Sequence, residues 1–423
     1  MLWTPFVAHL SALLERVDQA NGPADEALTA YTREHPKLGA RDRGQLANAL
    51  FAALRHQRWW AALVAAHADS VSSAEAWALL AAQHMGWQAP EWTPAQQQWL
   101  AALPERMAAA HWTPAQRGSL PDWLWSALEA QGTVDVSALA EALATPAPLD
   151  LRVNASRTKR DKCLAALQAE GWPVAAATYS PWGLRLSQRR NLSAHAAWRD
   201  GTLEVQDEGS QLLAALVGAK RGETVVDFCA GAGGKTLALG AMMRDQGRLL
   251  ALDTSAARLS AMVPRLTRAG LRSVYRMAIA DEADTRLEAW RGKAARVLVD
   301  APCSGLGTLR RSPELKARLL PQDISAYAER QQQILASASR LVQPGGRLVY
   351  ATCSLLTEEN EAVAQAFDAQ QLDFKPVAAD AALAPWLKDA ELRSSLCAGP
   401  YLRLWPHVHQ SDGFFAAVWQ RRA

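Results

Sequence analysis

Two cysteines and one glycine-rich turn are the residues of this chain whose types and spacing could do chemistry. Cys303, in Asp300-Ala-Pro-Cys-Ser, and Cys353, in Ala-Thr-Cys-Ser, lie fifty positions apart, and each follows a hydrophobic run typical of a strand. The turn after Asp227 reads Phe-Cys-Ala-Gly-Ala-Gly-Gly-Lys-Thr and ends at Thr236. A thiolate nucleophile beside a nucleotide-like cofactor would suit methyl transfer onto a pyrimidine base.

That chemistry requires a nucleophilic sulfur, because carbon 5 of cytosine attacks a sulfonium methyl only after a thiolate has added at carbon 6. Asp300 could donate or share a proton at ring N3, although contact with the cofactor is its alternative role. Most free cysteines are small buried hydrophobic residues, which is our interpretation of Cys163 and Cys397. Cys229 is expected to line the cofactor turn without reacting.

The surroundings of a cysteine decide whether it forms thiolate. Cys303 and Cys353 should lie at the carboxyl edge of a parallel sheet, where ligands bind in such folds. Nearby Lys or Arg side chains and helix N-termini lower a thiol pKa, whereas apolar burial raises it. Arg310 and Arg311 are therefore candidates for a positive environment around Cys303, or for contact with RNA phosphate.

Three ligands could explain the glycine-rich turn, and two of them fail at one required position. A P-loop needs glycine where Cys229 stands, and the dinucleotide fingerprint needs glycine where Thr236 stands. S-adenosylmethionine remains. Asp253, 26 residues after Asp227, would accept its ribose hydroxyls from the tip of the second strand. An Asp before Thr-Ser is also commonly a helix cap.

The composition bounds the class of protein. The 423 residues are 49% hydrophobic and 21% charged, with a net charge of +3, which predicts a globular protein of two or three domains. The five cysteines contain no Cys-x-x-Cys pair, which argues against a disulfide framework and a zinc site, and we expect no metal. Without a basic leader or a membrane-length apolar run, the protein is expected to be cytoplasmic and not to act at a membrane.

The pattern along the chain predicts three parts. Residues 1–145 read as an all-helical domain, 146–205 as a small basic α+β module, and 206–423 as strands alternating with helices, typical of a doubly wound parallel sheet. In the third part we predict strands over 224–228, 248–253, 297–300 and 347–352, a poorly defined third strand before Asp281, and a final hairpin of 401–405 with 412–419.

Two compositional features have ordinary explanations. Between residues 151 and 200 there are nine Lys and Arg against three Asp and Glu, which would suit either a solvated surface or RNA phosphate contact. Ten of the 17 tryptophans lie in the first 125 residues, where core packing is their commoner role, so we assign them no function.

With these motifs the chain resembles the Sun (Fmu) type of bacterial ribosomal RNA cytosine-5 methyltransferases from about residue 205 onward. The shared motifs are Val205-Gln-Asp-x-x-Ser-Gln, the turn from Asp227 to Thr236, Asp300-Ala-Pro-Cys-Ser, Tyr350-Ala-Thr-Cys-Ser with Glu358-Glu-Asn, and Asp412-Gly-Phe-Phe. The resemblance implies a Rossmann-like methyltransferase domain, preceded by an all-helical NusB-like domain and a small RNA-recognition-like module.

The resemblance also implies residue roles. Cys353 would be the nucleophile, and Cys303 would assist release of the methylated RNA. The implied contacts with S-adenosylmethionine are Cys229, Ala230, Gly231, Ala232, Gly233, Gly234, Lys235, Asp253, Asp281 and Asp300.

The chain departs from the family pattern at three places. Gly231-Ala232 replaces Ala-Pro in the turn, Pro264 interrupts a helix, and Ala280-Asp281 replaces Gly-Asp, with Asp284 as a rival acid.

The function expected from the sequence is methylation of carbon 5 of a cytosine in RNA, most simply small-subunit ribosomal RNA, with S-adenosylmethionine as cofactor. Two alternatives stay open. The first is a DNA cytosine methyltransferase in which Cys303 attacks. The second is a non-catalytic RNA-binding assembly protein that keeps the fold.

Overall fold

The chain separates into two compact units. A computed structural model describes residues 1–20, 22–67, 70–89, 91–109, 111–188 and 190–423, so Arg189 of the basic module lies outside the described residues. The helical unit comprises Met1–Pro146 and Thr308–Leu319, and the sheet unit comprises Ala147–Gly307 and Leu320–Ala423. The division into 1–145, 146–205 and 206–423 stays a prediction, with its second and third parts inside one compact unit.

The helical unit packs amphipathic helices around an apolar core. Helix α1 buries Phe6, Leu10, Leu13 and Val17, which recur every three or four residues along one face. Trp99 is fully buried and donates its indole N–H to the carbonyl oxygen of His67 at 3.0 Å. In the described part of residues 1–146 the helices are α1 Trp3–Gln19, α2 Ala24–Glu34, α3 Ala40–Arg55, α4 Gln57–Ala66, α5 Ser73–His84, α6 Pro94–Ala101, α7 Leu103–Ala109, α8 Pro114–Arg117, α9 Asp122–Ala130 and α10 Val136–Leu143.

The sheet unit begins with a small antiparallel sheet of order β2-β3-β1-β4. Its core contains Leu151, Val153, Leu167 and Leu184, together with Cys163, as expected for a structural cysteine. The hydrophobic pattern of this module also predicts a strand over 149–154 and a helix over 159–169, and both are observed within one residue. The elements are β1 Leu149–Val153, α11 Arg160–Ala169, β2 Val174–Ala176, β3 Gly183–Leu186, α12 Ala196–Arg199 and β4 Leu203–Val205.

The large sheet has the order β11-β12-β13-β9-β8-β5-β6-β7, with β10 also pairing with β13. Its strands are β5 Thr224–Asp227, β6 Arg248–Asp253, β7 Val274–Ala278, β8 Ala294–Asp300, β9 Val342–Thr352, β10 Phe374–Val377, β11 Cys397–Ala398, β12 Tyr401–Leu404 and β13 Phe414–Arg421. The strands β5 to β9 are parallel, and β13 joins them antiparallel to β9. This confirms the Rossmann-like α/β fold. The chain leaves β5 toward β6 on one side and returns to β8 on the other, so a ligand crevice is expected beyond the carboxyl ends of these strands.

Helices connect these strands, and one of them is interrupted where the sequence predicts a kink. Helix α15 ends at Ala261 and α16 starts at Val263, with Pro264 in the first turn of the second helix. None of the helices in the described ranges combines the length and apolar character needed to cross a bilayer. The remaining helices are α13 Glu208–Val217, α14 Gly234–Met242, α15 Ala256–Ala261, α16 Val263–Ala269, α17 Leu315–Arg318, α18 Pro321–Ser339, α19 Glu361–Gln370, α20 Ala379–Leu383, α21 Ala390–Ser395 and α22 Pro406–His409.

The segment 308–319, which contains α17, belongs to the helical unit although it follows Cys303 closely in the chain. Arg318 donates to the carbonyl oxygens of Val17 at 2.8 Å and Gly22 at 2.7 Å. Arg310 is buried and donates to the carbonyl oxygen of Pro146 at 2.9 Å. The guanidinium of Arg310 thus holds the segment to the helical unit, and its expected role as a positive environment for Cys303 stays a prediction.

Candidate active site

A cavity of about 750 Å³ opens at the carboxyl ends of β5, β6, β8 and β9. Its lining brings together most of the residues predicted from the sequence, although they come from four separate strand ends. The predicted residues in it are Cys229, Ala230, Gly231, Ala232, Gly234, Lys235, Asp253, Asp300, Cys303 and Cys353. Gly233 and Asp281 are not among the described residues that line it.

The glycine-rich turn leads from β5 into helix α14 and faces the cavity. Gly233 has φ 88°, and a Cβ added there would lie 2.4 Å from Cγ of Met262, so both its backbone and its packing require glycine. The N–H of Gly231 donates to Oδ2 of Asp253 at 2.8 Å. Asp253 Oδ1 accepts from the N–H of Ser255 at 2.7 Å. The Asp253 carboxylate thus holds the turn and the start of the next helix, and it also lines the cavity.

Asp227 lies at the base of this turn and is fully buried. The hydroxyl of Thr236 donates to its Oδ2 at 2.6 Å, while its Oδ1 has no partner among the described residues. Burial first, and then the negative charge of Asp300, raise the pKa of Asp227 to about 7 against the opposing effects of the Thr236 hydrogen bond and the Lys235 charge.

Lys235 extends from the turn toward the strand ends that carry the cysteines. Its Nζ lies 2.6 Å from Oδ2 of Asp300 and 5.8 Å from the ring centre of Phe414. Burial by itself would lower the pKa of Lys235, but the charge and hydrogen bond of Asp300, with a further effect of Cys353, raise it. Lys235 is therefore a cation that acts on Cys353, a role that the sequence analysis considered for Arg310 and Arg311 at Cys303.

The two cysteine sulfurs are in contact, with 3.4 Å between Sγ of Cys303 and Sγ of Cys353. Both are free thiols and half-buried. The hydrogen bond with Cys353 and burial together raise the pKa of Cys303 well above its ordinary value. Either sulfur could donate in this contact, and the raised pKa favours the thiol form of Cys303.

The other cysteines lie in less reactive surroundings. Burial raises the pKa of Cys397 to about 11, and it raises the pKa of Cys229 well above its ordinary value. Cys163 is buried in the small sheet. These contacts agree with a structural interpretation of all three residues.

The third strand presents a different acid to the cavity from the one expected. Asp281 is exposed, and Asp284 is held by Arg286, whose hydrogen bond lowers the Asp284 pKa. Glu282, next to Asp281, lines the cavity and pairs with Arg330 of helix α18 at 2.7 Å. The sequence pattern requires only one acid at the end of the third strand, so it could not distinguish Asp281, Glu282 and Asp284 from one another.

Further lining residues came from positions to which we assigned no role. Gln206 and Ser210 belong to a motif already recognised, whereas Tyr327 and Arg330 lie on α18 without any local signal. No group of three His, Cys, Asp or Glu side chains suited to a metal ion occurs in the described ranges.

Comparison with known proteins decides the family. The sequence profile described as 16S rRNA methyltransferase RsmB/F matches residues 214–420, and that of an RsmF/B-like ferredoxin-like domain matches residues 120–193. A probable ribosomal RNA small subunit methyltransferase B of Bacillus subtilis is 32% identical over 73% of this chain and 68% of its own length. The chain belongs to the RsmB/RsmF family. A protein of the same description from Synechocystis is 33% identical over 71% of this chain, but the match spans just under two thirds, 66%, of that relative.

A solved structure of a methyltransferase homolog protein from Pyrococcus horikoshii superposes on this RsmB/RsmF-family chain with a TM-score of 0.61. It is 25% identical and covers 73% of this chain and 97% of its own.

S-adenosylmethionine is the cofactor of the RsmB/RsmF family, and the cavity suits it. The lining side chains of Asp227, Asp253, Glu282 and Asp300 could accept hydrogen bonds from its hydroxyl and amino groups, and negative charge among them would suit its positive sulfonium. A side chain built at Gly231 would meet nothing within 4 Å, so the turn leaves its backbone open to a ligand. The unpartnered Oδ1 of Asp227 offers one more acceptor. When bound, the cofactor supplies the methyl group.

Proposed function

We propose that this protein methylates carbon 5 of a cytosine in small-subunit ribosomal RNA, with Cys353 as the nucleophile. The observation that carries the proposal is the contact of two sulfurs, 3.4 Å apart, within the cavity that also contains the glycine-rich turn and Asp253. A methyltransferase acting on oxygen, or on an exocyclic nitrogen, would not need a sulfur nucleophile, whereas carbon 5 of a pyrimidine does.

The hydrogen bond between the sulfurs supports different roles for the two cysteines. Cys303 keeps the proton, and Cys353 adds as thiolate to carbon 6 of the base. The addition moves electron density to carbon 5, which takes the methyl group. A base then removes the proton on carbon 5, and the electrons of that bond expel the Cys353 sulfur. Lys235, which interacts with Cys353, stabilises the sulfur anion before it adds to the base and after it is expelled.

Asp300 is the residue that we assign to the ring of the base. It ends β8 at the wall shared by the cofactor turn and Cys303, and Lys235 fixes one of its oxygens. When Asp300 is protonated, its carboxyl can donate to ring N3, and this makes addition of the thiolate easier because negative charge develops on the ring as the sulfur adds. Cofactor contacts are assigned to the turn from Cys229 to Lys235 and to Asp253. At the third strand we favour Glu282 over the predicted Asp281.

Ribosomal RNA as the substrate is supported by the names of the relatives and by the basic excess of the small module. Several of those arginines are used internally, since Arg185 pairs with Asp150 at 2.7 Å and Arg157 donates to the carbonyl oxygen of Arg268. Lys159 and Lys162 are exposed and face solvent. Because a paired base hides its edges and faces, the target cytosine must lie in a loop or be flipped out.

Two cysteine variants test the proposal. Cys353→Ala should transfer no labelled methyl to small-subunit RNA taken from cells that lack the protein. Cys303→Ala should instead accumulate a covalent protein–RNA adduct that survives a denaturing gel. Cys397→Ala, in the same unit but outside the cavity lining, is the control and should behave as wild type.

The outcomes separate the alternatives. An active Cys353→Ala with an inactive Cys303→Ala would reverse the roles and favour the DNA-type mechanism. Failure of the wild type to bind S-adenosylmethionine in calorimetry, with RNA affinity intact, would favour the non-catalytic assembly protein. Bisulfite mapping of ribosomal RNA from cells with and without the protein then identifies the modified cytosine.

A further inference from the structure

Each of the two cysteines is followed by a serine, and both serine hydroxyls bond to one buried side chain, Glu359. Ser304 donates its backbone N–H to Oε1 of Glu359 at 2.8 Å and its hydroxyl to Oε2 at 2.5 Å. The hydroxyl of Ser354 donates to the same Oε2. The two serine oxygens are themselves 3.2 Å apart. One carboxylate therefore joins the loop after β8 to the loop after β9.

The rest of the network holds the carboxylate in place. Gln331 of α18 donates its amide to Oε1 of Glu359 at 3.0 Å and to the carbonyl oxygen of Pro302 at 3.0 Å. The hydroxyl of Tyr350 lies 2.5 Å from the backbone oxygen of Glu359. All four contacts of the two carboxyl oxygens are with donors, and in the described residues the side chain has no ion-pair partner.

We propose that Glu359 is a positioning residue that fixes the two cysteine loops so that the Cys303 thiol points at the Cys353 sulfur. The inference rests on the proposed function, because the position of the sulfurs matters only if they react, and its evidence is the geometry of the hydrogen bonds. Ser304 and Ser354 are the immediate neighbours of the two cysteines, so their restraint sets the backbone from which each sulfur projects. At metal sites, hydrogen bonds that orient the ligands typically change activity about 10- to 100-fold when removed, and we expect a similar range for bonds that orient the two sulfurs.

An ordinary structural role predicts something different. A buried carboxylate with four donors stabilises its surroundings, and its loss would lower the melting temperature whatever the cysteines do. Loss of the negative charge of Glu359 would by itself lower the pKa of Cys303 and make a thiol more reactive, so a fall in the alkylation of Cys353 is the change that only a positioning role predicts. Besides Glu359, the described titratable groups that interact with these sulfurs are Lys235 at Cys353 and both Tyr327 and Tyr350 at Cys303, and all three are kept in the test.

The test is alkylation of the full-length protein, without RNA or cofactor, by iodoacetamide across a range of pH, with each cysteine quantified by peptide mass spectrometry. In the wild type Cys353 should react at lower pH than Cys303. Glu359→Gln keeps the side-chain volume but replaces one acceptor oxygen by an amide donor, so the two bonds that this oxygen accepted are either broken or reversed in direction. Alkylation of Cys353 at pH 7 should fall about tenfold in this variant, because a shift of the two loops would break the hydrogen bond from Cys303.

Matched variants separate positioning from folding. Glu358→Gln makes the same chemical change one position away at an exposed side chain and should react as wild type. Ser304→Ala should slow Cys353 alkylation, and combining it with Glu359→Gln should add little, because both act through one contact. If Glu359→Gln does not fold, Ser304→Ala and Ser354→Ala, which each remove only part of the network, take its place.

A folded Glu359→Gln with wild-type alkylation of both cysteines would overturn the inference and leave Glu359 as a core residue. In methyl transfer, the positioning role predicts a kcat reduced about 10- to 100-fold with unchanged KM for S-adenosylmethionine. If Glu359→Gln alters alkylation but the wild type methylates no RNA, the positioning role is upheld and the proposed function is refuted.

Discussion

Replacing Asp227 by asparagine should stabilise the ligand-free protein at pH 8 much more than at pH 5. The carboxyl of Asp227 is fully buried, and only its Oδ2 is hydrogen-bonded, by Thr236. Burial and the charge of Asp300 raise its pKa from 3.8 to about 7. The native state therefore binds a proton that the unfolded state has already released, and stability falls as the pH rises from about 4 to about 7.

The size of the effect follows from the two pKa values. Each tenfold change in a dissociation constant is worth about 1.4 kcal/mol. Relative to a neutral side chain, Asp227 therefore costs the native state about 4 kcal/mol at pH 8, where it is mostly ionised, and about 1.5 kcal/mol at pH 5, where the native state holds a proton that the unfolded chain releases. Asparagine has the same shape and no charge at either pH. Any cost of burying its amide is common to both conditions. The gain in the free energy of unfolding from Asp227→Asn should thus be about 2.5 kcal/mol larger at pH 8.

Urea titrations of both proteins at the two pH values, followed by far-ultraviolet circular dichroism, measure this difference. Asp373→Asn alters an exposed carboxylate of the same unit and serves as the control. If Asp227→Asn changes stability equally at pH 5 and pH 8, burial does not raise the pKa of this carboxyl, and its ionisation does not destabilise the native state.

Two further substitutions probe the cofactor side and the cysteine loops. Asp253→Ala removes the carboxylate assigned to the ribose, and two lost charge-assisted hydrogen bonds of about 1.5 kcal/mol each should weaken S-adenosylmethionine binding about 100-fold in calorimetry; unchanged affinity would exclude the ribose contact. Gly307→Ala would put a Cβ 2.2 Å from the Gly413 carbonyl oxygen and 2.8 Å from that of Cys353, so the melting temperature and methyl transfer should both fall. Gly44→Ala, which meets nothing within 4 Å, should not lower the melting temperature, and equal behaviour of the two variants would contradict the close approach.

The strands of the large sheet were predictable where they are buried. The predicted strands at 224–228, 248–253, 297–300 and 347–352 correspond to β5, β6, β8 and β9, because buried parallel strands read as continuous hydrophobic runs. The hairpin of β12 with β13 was also located. The third strand, β7, was poorly defined because it lies at the sheet edge, where Tyr275 is 55% exposed and the hydrophobic signal is weak.

The site was predictable as residue types but not as an arrangement. The cysteines, the turn and Asp253 could be chosen because each is a distinct type at a strand end. The bond from Lys235 to Asp300 joins positions 65 residues apart, and the bond from Ser304 to Glu359 joins positions 55 apart. Glu359 itself was part of a recognised motif, and no local pattern distinguishes it from the exposed Glu358.

The sequence by itself determined the fold class, the glycine-rich cofactor turn and the two cysteines with chemistry in reach, because hydrophobic periodicity and residue type are local properties. Only the tertiary structure decided that the two sulfurs are in contact, that Lys235 pairs with Asp300, and that the segment 308–319 belongs to the helical unit. These depend on the packing of strands and loops that are distant in the chain, where burial and neighbouring charge set the properties of each group.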